Sequence, residues 1–378
     1  MPLPSIWPRN NMAASDLCWC HSGQPFGSCH QNREHAELPH QKAFEEAIKR
    51  LKLPRTCAHP DAPNGCGKIV DAHTIQKNGG LSVLAEDGHV TELLLDDGVL
   101  RQVPKGIGVA STFEGFCNAH DGTLFAPVES GPRPLDIAAL FLLAFRALAY
   151  SRHRQALAHA RVGLYRQLDA GCQLECQAHY QRTILSMQVG AELLAADLTA
   201  MKERLDQMYR SGNYAGFRAV GWLFSELLPL AYSGAFYPES DIRGTPLQRL
   251  GHGDAPFEML CATLTPWNGK TLFTLAWTGQ SDGPAERYVR SFEALADDQK
   301  ANAAMHGGFE DQENLMLRPS WWNELPETSR GALEARRMAG TETGPDKIPG
   351  DLGSAQPVLS MAPVEATCRF SGVNPDSG

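Results

Sequence analysis

Two proline-free stretches, residues 135–168 and 173–209, repeat their apolar residues at helical spacing, with Ala170-Gly171 as the break between them. They predict a long helical hairpin. In its second arm Ile184, Met187, Ala191, Leu194, Leu198, Met201, Leu205 and Met208 step by three or four. That stripe suits packing, or a homodimer formed through the hairpin. Further on, residues 259–267 and 270–277 read as strands joined by Asn268-Gly269, a strong hairpin turn, with Pro266 at a strand end. A helix is expected over about 284–304, and Leu317 to Trp322 reads as a docking turn. From about residue 340 to 378, Gly, Pro and Ser dominate and aromatics are few, so the tail is expected to be disordered.

At 378 residues the chain has room for two or three domains and a core that needs no disulfides. Acidic residues number 43 against 34 Lys and Arg, a balance of −9, so any contact with DNA or RNA has to be local. The only extended basic face falls on the hairpin, with Arg146, Arg152, Arg154, Arg161 and Arg166. A shorter run, Lys42, Lys49, Arg50, Lys52 and Arg55, suits a solvated helix face or phosphates. No segment was expected to reach the ~20 apolar residues of a membrane span, and the first residues lack a signal-peptide pattern. The expected location is cytoplasmic, with no membrane partner.

Six of the ten cysteines fall within the first 117 residues. In a reducing compartment, cysteines clustered with histidines more often hold metal than form disulfides. Cys18 and Cys20 stand one residue apart, Ser22-Gly23 makes a turn, and Cys29-His30 follows. Four soft donors on tight turns suit tetrahedral zinc. The arrangement CxCxSGxxxxxCH resembles the SEC-C motif, the small zinc-binding segment also found at the C-terminal tail of the preprotein translocase ATPase. The resemblance implies Cys18, Cys20, Cys29 and His30 as ligands, and docking to a protein partner rather than catalysis.

A second constellation comprises Cys57 and Cys66, then Asp71-Ala72-His73, then Cys117, His120 and Asp121. Pro60, Pro63, Asn64 and Gly65 make a loop between the first two cysteines, and Cys117 and His120 share one face of a helical turn. Knuckle, hairpin and ligand-bearing helix describe a treble clef in which zinc substitutes for a core. Over about 70 residues this stretch resembles the HNH endonuclease family. The resemblance implies Cys57, Cys66, Cys117 and His120 as structural zinc ligands, His73 as general base and Asp121 as ligand to a catalytic Mg²⁺ or Mn²⁺. It also suggests a bacterial defence or mobile-element setting.

There are departures from that family. Ala72 stands where it commonly has a metal ligand, eight residues rather than two separate Cys57 from Cys66, and 43 separate His73 from Cys117. His89, inside that long segment, is a further candidate ligand or proton carrier. Over residues 40–130, nine basic residues face twelve acidic ones, which gives no help to a nuclease.

Other chemistry is weaker. Gly269-Lys270-Thr271 lacks the upstream glycine of a phosphate loop, and Gly106-Ile107-Gly108 lacks the last glycine of a dinucleotide fingerprint. Cys172, Cys176 and His179 share a helix face without a fourth donor; Asp241, Arg243, His252 and Asp254 suit a structural polar loop; Cys368 reads as a bystander.

The expected fold is α+β and modular. It has a disordered start (1–15), a SEC-C zinc motif (16–32), an HNH-like treble clef (40–130) and a helical hairpin (135–230). A small α+β domain built around the β-hairpin (232–335) and the disordered tail (340–378) complete it. The expected function is a zinc protein with two structural zinc ions and a divergent metal-dependent phosphodiesterase site. The alternative is a non-catalytic zinc scaffold for protein interaction.

Overall fold

A computed structural model describes residues 6–7, 11–96, 98–250, 257–341, 350–360 and 362–372. The chain is α+β, 44% helical and 20% strand. In chain order, α1 (Phe26–Cys29) and α2 (Gln41–Arg50) precede β1 (Ile69–His73), α3 (Ser82–Leu84), β2 (His89–Asp96) and β3 (Val99–Gly106). Next come β4 (Thr112–Cys117), α4 (Asn118–Leu124), α5 (Ala126–Glu129) and the long helices α6 (Ile137–Tyr165) and α7 (Leu174–Ser211). The strands β5 (Arg218–Phe224), β6 (Leu230–Phe236), β7 (Leu260–Trp267) and β8 (Lys270–Trp277) follow. The chain continues through α8 (Pro284–Glu293), α9 (Asp297–Asp311), β9 (Leu315–Leu317), α10 (Pro319–Glu324), α11 (Glu327–Thr341) and β10 (Val364–Phe370).

Contacts divide the chain into two units, Met1–Pro54 with Arg152–Thr199, and Arg55–Ser151 with Ala200–Gly378. Both long helices run from one unit into the other, so the hairpin expected at 135–230 is present but is not a domain of its own. At 29 and 38 residues, these helices are long enough for each half to find its own packing neighbours.

In the first unit the helices pair antiparallel: Gln155 donates to the Ala191 carbonyl at 2.8 Å, and Arg166 to Gln188 at 2.6 Å. Ile6, Trp19, Ala178 and Leu185 form a small core with Cys18 and Cys20. Ile6 is therefore ordered within the start expected to be disordered; residues 1–5 and 8–10 lie outside the described residues. By length and composition α7 is apolar enough to cross a membrane, contrary to the sequence expectation, because its charges are widely spaced; only 22% of that window is buried.

The second unit is built on an eight-stranded antiparallel sheet in the order β10-β5-β8-β7-β6-β9-β2-β3. The Asn268-Gly269 hairpin forms as expected, both residues adopting the positive φ that a primed turn requires. Strands β7 and β8 are buried on both faces, with Thr263, Thr265, Thr271 and Thr274 buried among their apolar residues. One face packs Trp222, Tyr232 and Phe273 with Phe292, Met305 and Phe309 of α8 and α9. The opposite face meets the start of α6 so closely that a Cβ at Gly221 would lie 2.8 Å from Leu140 Cδ2. The helix expected over 284–304 is two helices, interrupted where Leu295 turns into the core.

The expected small C-terminal domain is thus larger than 232–335. It takes β2 and β3 from the segment assigned to the treble clef, β5 from the hairpin segment, and β10 from the expected disordered tail. The tail orders for two physical reasons. Strand β10 covers the open edge of β5, and Cys368, expected to be a bystander, pairs there with Gly221. Before it, Asn302 donates to the Ala355 carbonyl and accepts from Val358 N–H, while His306 Nε2 bonds the Gln356 carbonyl at 3.1 Å. His252 and Asp254 of the expected polar loop, and tail residues 342–349, 361 and 373–378, lie outside the described residues.

Truncation after residue 360 should unpair β5 and lower the melting temperature by at least ~2–4 °C, the shift that about 1 kcal/mol produces in a domain of this size. Differential scanning calorimetry would check it, and an unchanged midpoint would mean that the tail contributes nothing.

Burial pushes the His306 imidazole down to about 4, against an upward pull from its bond to Gln356. An unfolded histidine protonates near ~6.5. Between these two values the unfolded chain binds a proton that the folded chain refuses, so stability falls as the pH drops through the window. Urea melts should show His306→Gln losing roughly 3 kcal/mol less than the parent between pH 7 and 4.

Candidate metal centres

Two groups of four donors converge among the described residues, Cys18, Cys20, Cys29 and His30 in the first unit and Cys57, Cys66, Cys117 and His120 in the second. Within each group all donor atoms lie within 4.8 Å of one another.

The first group is built on turns. His21 and Gly23 take left-handed backbone conformations, and Cys18 N–H bonds the Gln24 carbonyl, reversing the chain so that α1 returns Cys29 and His30 to the first two cysteines. Cys20 and Cys29 sulfurs stand 3.6 Å apart. His30 Nδ1 lies 3.2 Å from Cys18 Sγ and 3.1 Å from Cys29 Sγ. Tetrahedral zinc with Zn–S near ~2.3 Å spaces its sulfurs roughly 3.8 Å apart, so the cage fits that ion. Hydrogen bonds from Cys18 and Cys29 hold the Cys20 thiol below the usual range despite burial, and the matching contacts push the Cys18 thiol up.

Residues 15–32 match the family model of the SEC-C motif. The match covers the first cage and little else of the chain. No curated protein and no solved structure matches the chain. No family match supports the HNH likeness of residues 57–121.

The second group has the expected ligand loop and ligand-bearing helix, but β2 and β3 come between its two strands in the chain, so the expected hairpin is instead a pair of strands from distant segments. Strands β1 and β4 pair antiparallel, setting Ile69 opposite Cys117 and His73 opposite Thr112. Strand β4 runs directly into α4, whose first turn carries His120. His120 Nδ1 stands 3.5 Å from both Cys57 Sγ and Cys66 Sγ, and Cys117 N–H points at Cys57 Sγ at 3.4 Å. The wide knuckle is closed by Ala58 N–H on the Gly115 carbonyl at 2.7 Å. The unusual spacing between Cys57 and Cys66 therefore does not prevent convergence.

Of the candidate catalytic residues, Asp121 directly follows His120 on α4, and His73 ends β1, four residues beyond the Ile69–Cys117 pair. His73 Nε2 lies 2.9 Å from the Ile107 carbonyl. A carbonyl only accepts, so Nε2 carries the hydrogen and the neutral ring keeps Nδ1 as its free base. Asp121, on α4, is within electrostatic reach of His73; burial raises its carboxyl above the usual range, Arg146 opposes this, and Glu129 adds to it. Its buried Oδ1 has no hydrogen-bond partner among the described residues. Ala72 is buried and Asp71 exposed, beside a register shift between Val70 and Ala72. Strand β1 therefore offers no carboxylate at the position the family commonly fills.

Other sequence candidates fall away. His89 opens β2, where its Nδ1 bonds the Asp87 carbonyl at 2.8 Å, and it joins neither cage. Cys172, Cys176 and His179 form no donor group among the described residues. The hairpin arginines do not make an open basic face: all five are at most half-exposed, and Arg146 is 2% exposed, pairing with Glu129 and lying over Phe125. Arg166 donates to Gln181 and Gln188 within the first unit. Lys42, Lys49, Arg50 and Lys52 are exposed in the first unit, while Arg55, in the second, pairs with Glu114.

Two residues escaped the sequence reading. His59 stacks on the ligand His120 with centroids 3.9 Å apart and planes 10° apart, its far side edge-on to Tyr209. It lies inside the knuckle, so its place was legible although its role was not. Asp169 receives His30 Nε2 at 2.9 Å across 139 residues of sequence, and no local pattern signals that.

Each cage should bind one zinc ion. Metal analysis of the purified chain should give two per molecule, falling to one in Cys20→Ser and to one in Cys117→Ser. An unchanged content in either variant would remove that cage from consideration.

Proposed function

We propose that the treble clef of the second unit is a phosphodiesterase site of HNH type, acting on DNA or RNA, with its zinc ion structural. The observation that carries this reading is the His73 ring, tied at Nε2 to a backbone carbonyl and held on β1 near Asp121 of α4. A base needs a fixed tautomer with one bare nitrogen, and this contact provides it.

His73 Nδ1 would take a proton from water as the water oxygen bonds to phosphorus. The phosphorus–oxygen ester bond then breaks, and the departing oxygen gains a proton from solvent, leaving a phosphate monoester and a hydroxyl end. Asp121 Oδ1, buried and unpartnered, suits an oxygen ligand to Mg²⁺ or Mn²⁺. Such an ion supplies charge stabilisation to the phosphoryl oxygens and the leaving oxygen.

The other reading is a zinc-scaffolded interaction module without catalysis, which would use the SEC-C cage for docking. It is favoured by Ala72, which leaves Asp121 without a second carboxylate from β1.

The experiment is a cleavage assay on duplex DNA, single-stranded DNA and RNA with Mg²⁺ or Mn²⁺, and with EDTA. His73→Ala, shown to be folded and equally zinc-loaded, should lose about 10²–10⁴-fold of the rate. Cutting that survives in this variant would overturn His73 as base. Absence of cutting by the parent on all three substrates would favour the scaffold.

A further inference from the structure

We propose that Asp169 is a positioning residue for the first zinc cage, fixing His30 as a ligand from the turn between the two long helices. The juxtaposition is internal to the first unit. His30 offers Nδ1 to the cage, 3.2 Å and 3.1 Å from Cys18 and Cys29 sulfurs, and its opposite ring nitrogen lies 2.9 Å from Asp169 Oδ2. A carboxylate only accepts, so Nε2 carries the hydrogen and Nδ1 keeps its lone pair for metal. A carboxylate behind a histidine in this way orients the ring and raises its donor strength.

Asp169 is itself held for the task. It is completely buried at the end of a 3-10 turn, Arg166–Asp169. Arg33 Nε bonds its Oδ1 at 2.5 Å, and Gln181 Nε2 bonds Oδ2 at 2.7 Å. Arg33 also donates to the Cys29 carbonyl at 3.2 Å and the Arg166 carbonyl at 2.9 Å, and Arg166 donates to the Cys20 carbonyl at 3.2 Å. Motif and turn are thus crosslinked by charge-assisted bonds in both directions.

A buried carboxylate carries a large desolvation cost unless it is fully paired. This one is satisfied by Arg33, Gln181 and a histidine whose orientation serves the metal cage. The SEC-C motif in this chain is therefore more than a self-contained knuckle: its metal affinity depends on a residue 139 positions away. Arg33 and Gln181 act one step further out.

The test uses the full chain and zinc itself. Competition with a chromophoric chelator measures affinity at the first cage, with the second cage as the internal control. Asp169→Ala should weaken zinc at the first cage by roughly 10–100-fold and leave the second unchanged. The isosteric Asp169→Asn keeps an acceptor without the charge, and should fall between parent and alanine variant. With cobalt substituted for zinc, the visible bands of the first cage should shift in both variants, a change that simple loosening of the helix turn would not produce while the cage stays full.

Parent-like zinc affinity in both variants would overturn the assignment. So would an equal loss at both cages in Asp169→Asn, since that would report general unfolding. The proposal stands apart from the phosphodiesterase reading, which concerns the other cage.

Discussion

Four donor atoms that share one ion must come within a few ångströms of each other, and that demand governs the layout of residues 57–120. Cys57 and Cys66 arrive from a loop, while Cys117 and His120 arrive from the junction of β4 and α4. The short β1–β4 pair and the Ala58–Gly115 hydrogen bond connect the two halves of the cage, and the segment between those strands leaves to contribute β2 and β3 to the large sheet. Loop-closure entropy grows slowly with length, so the departure of residues 74–111 between β1 and β4 is affordable once its own backbone is paired.

The same arrangement ties this donor group to the core of its unit. Gln76, just past β1, donates to the Glu129 carbonyl at 2.7 Å and accepts from Arg133 at 3.0 Å; Arg133 in turn lies over Trp267 of β7. The Asn268 turn side chain bonds the Arg133 carbonyl at 2.7 Å. A hairpin turn that looked purely architectural therefore also restrains the strand that ends at His73.

The two cages solve the histidine problem differently. In the first, a buried carboxylate fixes the ligand ring through its second nitrogen. In the second, the neighbouring His59 ring lies flat against His120, and burial together with His120 keeps the His59 imidazole below its usual range.

The sequence by itself determined the elements whose signals are local. Both donor sets, the two long helices and the Asn268-Gly269 hairpin follow from spacing, periodicity and turn chemistry, because metal ligation, a 3.6-residue repeat and a positive φ each leave marks within a few residues. Only the tertiary structure decided how far those elements share a core. It drew β2, β3, β5 and β10 into one sheet, divided the helices between two units, buried Arg146, and brought Asp169 to His30. Those outcomes depend on pairings between residues far apart in the chain, where an open strand edge or an unpaired buried charge selects its partner by geometry. A linear pattern shows that such a group needs a partner, while the fold determines which partner it receives.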